Sequence, residues 1–284
     1  MRTAGLTLAA LVAFAANSVL CRAALLGGAI DPASFTAVRV ISGVAALAAL
    51  LAFRPGAGQA LRQARIVPGL ALLIYAAFFS FAYVSLDAGV GALILFGTVQ
   101  VAMLAGAVFG GERPAPARWL GAALGLGGLG WLTLPGADAP PLFGAALMVT
   151  AGLGWAVYSL LGRGARDPLA DTFGAFLAAA PLAAAIWLAA GLPMMVEAEG
   201  LALAIVSGAL ASGCGYAIWY AALPRLDASI AAVSQLTVPL IALAGGIVFL
   251  GESAGPRVWT AAALILGGVG LATLLTRRKA QPGR

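Results

Sequence analysis

No histidine occurs in this sequence, and all ten acidic residues fall between apolar stretches or at their edges. That distribution removes most zinc chemistry and most general acid–base catalysis. An intramembrane protease would need paired aspartates or a Ser–His arrangement inside an apolar run, and the sequence has neither. Arg39 is the only candidate charge well inside such a run, about two helical turns from its start. It reads equally as a cavity cation or as a side chain snorkelling to the surface. Cys21 and Cys214 lie in apolar stretches and read as packing residues, not as a disulfide or metal pair. No cofactor, metal or enzymatic activity is expected. What remains is recognition by neutral polar and aromatic groups.

Those groups are few and regularly spaced. Tyr75, Phe79 and Tyr83 recur every four residues and so share one helix face. Trp155 and Tyr158 are three apart, and Tyr216, Trp219 and Tyr220 share a further face, the last two also suiting an interfacial belt. Asn17, Ser18 and Ser159 add uncharged polar groups. A tyrosine deep in lipid needs a partner for its hydroxyl, so cavity lining is preferred here to packing alone. Trp119, Trp131, Trp187 and Trp259 fall near segment ends and read as interfacial anchors.

The elements that must position these residues follow from composition. The 284-residue chain is 62% hydrophobic and 9% charged, whereas a soluble domain carries about 25% charged residues. Lipid is therefore its solvent. Ten apolar segments are expected to cross as helices, near 3–26, 32–53, 66–86, 88–110, 116–134, 141–163, 169–190, 200–223, 227–250 and 255–276. Breakers such as Asp31-Pro32, Gly111 to Pro116, Asp167-Pro168 and Gly255-Pro256 separate them. Continuous apolarity excludes an alternating barrel pattern. The apolar start resembles a signal peptide but runs on to Leu26, so it reads as a span.

The sequence is also written twice. Residues 86–134 fall on 226–274 without a gap and agree at 21 of 49 positions, including Asp87/Asp227, Glu112/Glu252, Pro116/Pro256 and Trp119/Trp259. Five helices per copy is an odd number, so the second copy enters the membrane inverted, as in many secondary transporters. The expected units are 1–136, 137–276 and a basic tail, 277–284. With the N-terminus inside, thirteen basic residues are cytoplasmic and two, Arg22 and Arg257, are outside. Both termini are therefore expected in the cytoplasm. Basic residues at segment ends form a topology signal and no stripe for nucleic acid.

Where the copies disagree is informative. Between Gly89 and Val101 only Ala92 is matched; the first copy ends this stretch at Gln100 and the second reads Ser234-Gln235-Leu-Thr-Val-Pro239. A polar, divergent helix centre would suit an asymmetric ligand, with Pro239 freeing a backbone carbonyl. A routine proline kink, with Gln235 bonded to a neighbouring helix, stands beside that reading. Glu112 and Glu252 read as helix-end residues, each following a capping glycine and lying near the next helix N-terminus. The small-residue stripes of the fifth helices read as scaffold or dimer face. Helices one, three, four, six, eight and nine are expected around the cavity.

The Gly111-Glu112 and Gly251-Glu252 pairs, the Pro116…Trp119 and Pro256…Trp259 openings and the Gly-rich fifth helices together resemble the EamA family of the drug/metabolite transporter superfamily. Phe35-Thr-Ala-Val-Arg39 resembles the family's aromatic-then-arginine pattern; the second half has Ala175 at that place. The resemblance implies an inner-membrane carrier, most often an exporter of amino acids or other metabolites, and within the family the chain looks most like the bacterial aromatic-amino-acid exporters. The expected function is export or facilitated transport of small neutral or zwitterionic metabolites by alternating access, as monomer or homodimer. The expected cavity residues are Asn17, Tyr75, Phe79, Tyr83, Gln100, Trp155, Tyr158, Tyr216, Tyr220, Ser234, Gln235 and Pro239, with Arg39 as the charged candidate. The alternatives are a nucleoside, sugar or drug exporter, or a non-transporting scaffold or lipid-handling protein. With no acidic side chain in a span centre, proton coupling through such a group is not expected.

Overall fold

A computed structural model describes residues 2–54, 64–136, 138–162, 165–191, 196–222, 225–226 and 234–280. Among these residues the chain is helical throughout, without strands. Helices α1 (Arg2–Leu26), α2 (Pro32–Ala52), α3 (Ile66–Ala82), α4 (Ala88–Phe109) and α5 (Pro116–Thr133) are followed by α6 (Leu142–Leu161) and α7 (Pro168–Ala189). Then come α8, a continuous run of Ala198–Val206, a π-helical Ser207–Cys214 and Gly215–Ala222, and finally α9 (Thr237–Leu250) and α10 (Pro256–Ala280). Seven of these helices are long and apolar enough to cross a membrane, and α3 and α9 are shorter apolar helices. The extent of the fold as a multi-pass membrane protein follows from those lengths.

Local signals start and stop the helices. Asp31 Oδ1 accepts the N–H groups of Ala33 and Ser34, both at 2.9 Å, and Asp167 accepts that of Ala170 at 3.2 Å. Each aspartate precedes a proline at the first helical position, where its missing N–H costs nothing. Gly111 and Gly251 close α4 and α9 with φ of 84° and 66°, the left-handed conformation that the Gly-Glu pairs predict.

The helix packing repeats itself. α3 packs on α6 as α8 packs on α1; α4 packs on α6 as α9 packs on α1; α3 packs on α7 as α8 packs on α2. Three further contacts, α2–α7, α4–α9 and α5–α10, join each helix to its counterpart. In the last of these, a Cβ added to Gly121 would lie 2.8 Å from the Gly268 carbonyl oxygen, and one on Gly128 would lie 3.2 Å from that of Ala261. The order reverses, so the helices are antiparallel, and the 140-residue offset of the sequence repeat exchanges one contact for the other. The glycine stripe is thus an intramolecular seam that brings two backbones together. The α5–α10 pair also rests on α4.

In the ninth helix Ser234 and Gln235 are helical, Leu236 interrupts the run while keeping right-handed helical dihedrals (φ −67°, ψ −16°), and α9 continues from Thr237; residues 227–233 lie outside the described set. Pro239 follows Gln235 by four residues and has no N–H to offer its carbonyl.

Candidate functional site

Helices α1, α2, α3 and α8 meet around Arg39. Its side chain is 2% exposed and does not snorkel. Nη2 donates to the Tyr75 hydroxyl at 2.9 Å and Nε donates to the Ser212 hydroxyl at 3.3 Å. The guanidinium carbon lies 5.1 Å from the Tyr75 ring centroid and 4.8 Å from that of Phe79, within cation–π range. Ser212 and Ser207 both donate to Asn17 Oδ1, at 3.2 and 2.8 Å. The π-helical winding explains how they can. Residues five apart stand about 140° apart on an α-helix, but i→i+5 bonding stacks them on one face. Gly208 lets this segment approach α2 so closely that a Cβ there would collide with Ser42 Oγ and the Arg39 carbonyl.

An aromatic chain continues from Tyr75. Its ring lies 4.8 Å from that of Trp155, which in turn lies 5.5 Å from Tyr158 and 5.3 Å from Tyr216. Phe14 and Phe176 flank Tyr216 at 5.6 and 6.1 Å. The Tyr158 hydroxyl donates to Thr172 Oγ1 at 3.2 Å. Beyond it a small cavity opens at the α6–α7 end of the bundle, lined by Tyr158, Thr172, Arg65 and Asp171, the last two forming an ion pair. Neutral donors, acceptors and π faces surround one cation here, an arrangement suited to binding and not to bond-breaking.

Of the sequence candidates, Asn17, Arg39, Tyr75, Phe79, Trp155, Tyr158 and Tyr216 come together. Tyr83 touches Phe79, but its hydroxyl donates to the Ala88 carbonyl at 3.1 Å and straps the start of α4. It reads as a structural residue because its one polar group is already used on backbone. Among the described residues no hydrogen bond or ring contact joins Gln100 or Gln235, both half-buried, to the cluster. The Ser234 carbonyl accepts the Thr237 Oγ1 hydroxyl at 2.7 Å. The Tyr220 side chain lies outside the described residues. Trp219 is buried against Phe14 and is no belt residue. Ser207, Ser212, Phe14, Phe176 and Thr172 also join this cluster and are not among the sequence candidates; α7 was not expected beside it, and α2 only through Arg39. Periodicity assumes α-winding, and these contacts depend on a π-helix and on long-range packing.

A second polar cluster closes the opposite end. Arg22 Nη1 donates to the Tyr83 and Val84 carbonyls at 3.0 and 3.1 Å, and the guanidinium pairs with Asp87 and Glu252, each at 3.5 Å. Glu252 accepts the Ala88 N–H. Burial raises the Glu252 carboxyl above its ordinary value, and nearby Asp87 adds to that; the Ala88 N–H and Arg22 pull the other way. Its side chain is 8% exposed.

Apolar spanning helices, packed around a buried cluster of polar and aromatic groups drawn from both ends of the sequence, define a multi-pass membrane protein of transporter type. The chain belongs to the EamA-like transporter family, whose profile matches residues 142–274. It is 51% identical over 95% of its length to an uncharacterized protein of Pseudomonas aeruginosa, covering 94% of that protein. It is 30% identical to the "Probable terminal-alkyne amino-acid exporter" of Streptantibioticus cattleyicolor, over 78% of this chain and 80% of that one. It is 35% identical to the threonine/homoserine exporter RhtA of Salmonella typhimurium, a match spanning 63% of this chain and only 61% of the exporter. A protein of known crystal structure superposes with a TM-score of 0.68 and 27% identity, over 95% of this chain and 99% of that one.

Proposed function

We propose that the protein is a bacterial inner-membrane exporter or facilitator of small zwitterionic metabolites, chiefly amino acids, working by alternating access. The observation that carries this reading is the buried cluster of Asn17, Arg39, Tyr75, Trp155 and Tyr216, to which helices of both sequence copies contribute. Two inverted five-helix units, 1–136 and 137–276, with ten spans and both termini cytoplasmic, form the proposed frame. The antiparallel α5–α10 seam and the exchange of its two contacts by the 140-residue offset support inversion. The amino-acid exporters among its relatives support the substrate class.

Reconstitution into proteoliposomes tests the reading. Vesicles loaded with an amino acid should take up the same labelled amino acid by exchange. A panel that includes nucleosides and sugars decides against the other carriers. A protein that is folded and inserted but moves nothing on the panel overturns the reading. A cysteine placed at Tyr75 should react with a membrane-impermeant reagent in a substrate-dependent way, which a scaffold without an aqueous path would not allow.

A further inference from the structure

Arg39 is a buried cation whose hydrogen bonding is unfinished. A guanidinium carries five N–H donors and does not give up its proton in a protein. Here Nη2 and Nε are used on Tyr75 and Ser212, while Nη1 has no hydrogen-bond partner. The ion pairs among the described residues employ Arg22, Arg54, Arg65 and Arg118, and Arg39 is in none of them. Its surroundings are two hydroxyls and two aromatic faces, which stabilise a cation only in part. A buried charge without a counter-charge is among the costliest arrangements a protein can hold.

Arg22 supplies the comparison within the same molecule: its Nε also lacks a hydrogen bond, but two carboxylates, Asp87 and Glu252, balance its charge. Arg39 ties α2, α3 and α8 with neutral groups alone and leaves Nη1 buried without a partner, while the Tyr75 ring it binds continues to Trp155 and Tyr216. A guanidinium with donors left over matches a carboxylate in charge and hydrogen bonding.

From this we infer that Arg39 is the carboxylate anchor of the transport site, so the ligands are small molecules with one free carboxylate. Nη1 donates to the ligand carboxylate, and the Tyr75, Trp155 and Tyr216 rings wall the remainder of the ligand. The inference rests on the amino-acid reading above and narrows it. Sugars and nucleosides carry no carboxylate and leave the guanidinium unpaired, as cationic drugs also do.

The test reads selectivity in the unmutated protein first. Exchange of labelled L-threonine, L-methionine or L-phenylalanine in proteoliposomes is competed by each free amino acid, by its carboxamide and by the decarboxylated amine. The acid should compete at least tenfold better than either counterpart. Arg39→Gln, if it melts within a few degrees of wild type, should lose that preference; Arg39→Lys should keep the preference and bind more weakly. Robust exchange with acid and carboxamide competing equally overturns the anchor and leaves the amino-acid reading standing. Should no amino acid exchange, that reading falls, and the anchor is judged by the melting temperature of the purified wild-type protein with 2-oxo and 2-hydroxy acids against their amides. Stabilisation by the acids alone supports it, and no difference overturns it.

Discussion

Both carboxylate oxygens of Glu252 lie within hydrogen-bond reach of the Ala88 backbone N–H, at 3.0 and 2.9 Å, so the residue that follows the cap of α9 caps the start of α4. Asp87, the residue type expected to cap α4 from its own N-cap position, makes no side-chain cap bond and faces Arg22 instead. The cap has been handed from a local residue to one 164 positions away. Replacing Glu252 by Ala leaves the Ala88 N–H without its acceptor and Arg22 without one of its carboxylates. A loss of about 1 kcal/mol or more is expected, the usual scale for an N-cap. The melting temperature of the purified protein in detergent checks it, and Glu252→Gln, which keeps an acceptor, should fall between.

The same residue gives a pH dependence with a definite sign. Burial holds the folded Glu252 carboxyl above its ordinary value of 4.5, so the folded state binds its proton more readily than the unfolded state does. Its contribution to stability is fully present below the ordinary value and is lost as pH rises through the folded value. The stability of wild type relative to Glu252→Gln should therefore decline upward from about pH 4.5. Melting scans of both proteins between pH 4.5 and 7 measure the difference. A difference that grew with pH would mean that Arg22 and the Ala88 N–H outweigh burial.

Close backbone approach offers a third prediction. A methyl group at Gly208 would strike the α2 backbone at Arg39, whereas one at Gly125 meets nothing within 4 Å. Gly208→Ala is expected to destabilise by about 1–3 kcal/mol, the usual range for an overpacked interior. It should also reduce exchange, because α8 carries Ser207 and Ser212 away from Asn17. Gly125→Ala, on the same assays, should be silent.

Much of this architecture is legible in the sequence for simple reasons. Asp31-Pro32 and Asp167-Pro168 are local signals, and both start helices as read. Tyr75 and Phe79 are four apart, and an α-helix places them on one face, where they flank Arg39. Ser207 and Ser212 are five apart, and only π-winding aligns them, for which S-G-A-L-A-S-G-C gives no local cue. Whether Arg39 snorkels or turns inward depends on Tyr75 and Ser212, 36 and 173 residues away. Glu252 is the helix-end residue that its Gly-Glu pair predicts, but the helix start its carboxylate caps is that of α4 and not of α10.

The proposed topology rests on the odd number of helices per copy and on the bias of basic residues. A reporter fused after Lys279 should score cytoplasmic, and one inserted at Asp138 should score external. Either result reversed would remove the inverted frame, since α5 and α10 would then no longer be counterparts on opposite faces.

Arg39 makes a last prediction about the transport cycle itself. An empty carrier that changes its facing must pass through a state in which the guanidinium is enclosed, as it is here at 2% exposure, with only neutral partners. A bound carboxylate removes that penalty, and an unpaired buried charge costs several kcal/mol. Each 1.36 kcal/mol is a factor of about ten in rate. Efflux of a labelled amino acid into medium holding the unlabelled one should therefore exceed efflux into substrate-free medium by at least about tenfold. A zwitterion adds no net charge to the loaded carrier, so the exchange rate should not change when a potassium diffusion potential is imposed with valinomycin. Equal rates with and without external substrate would show that the empty carrier turns over freely. In that case Arg39 finds, in the moving protein, a counter-charge that the enclosed state does not contain.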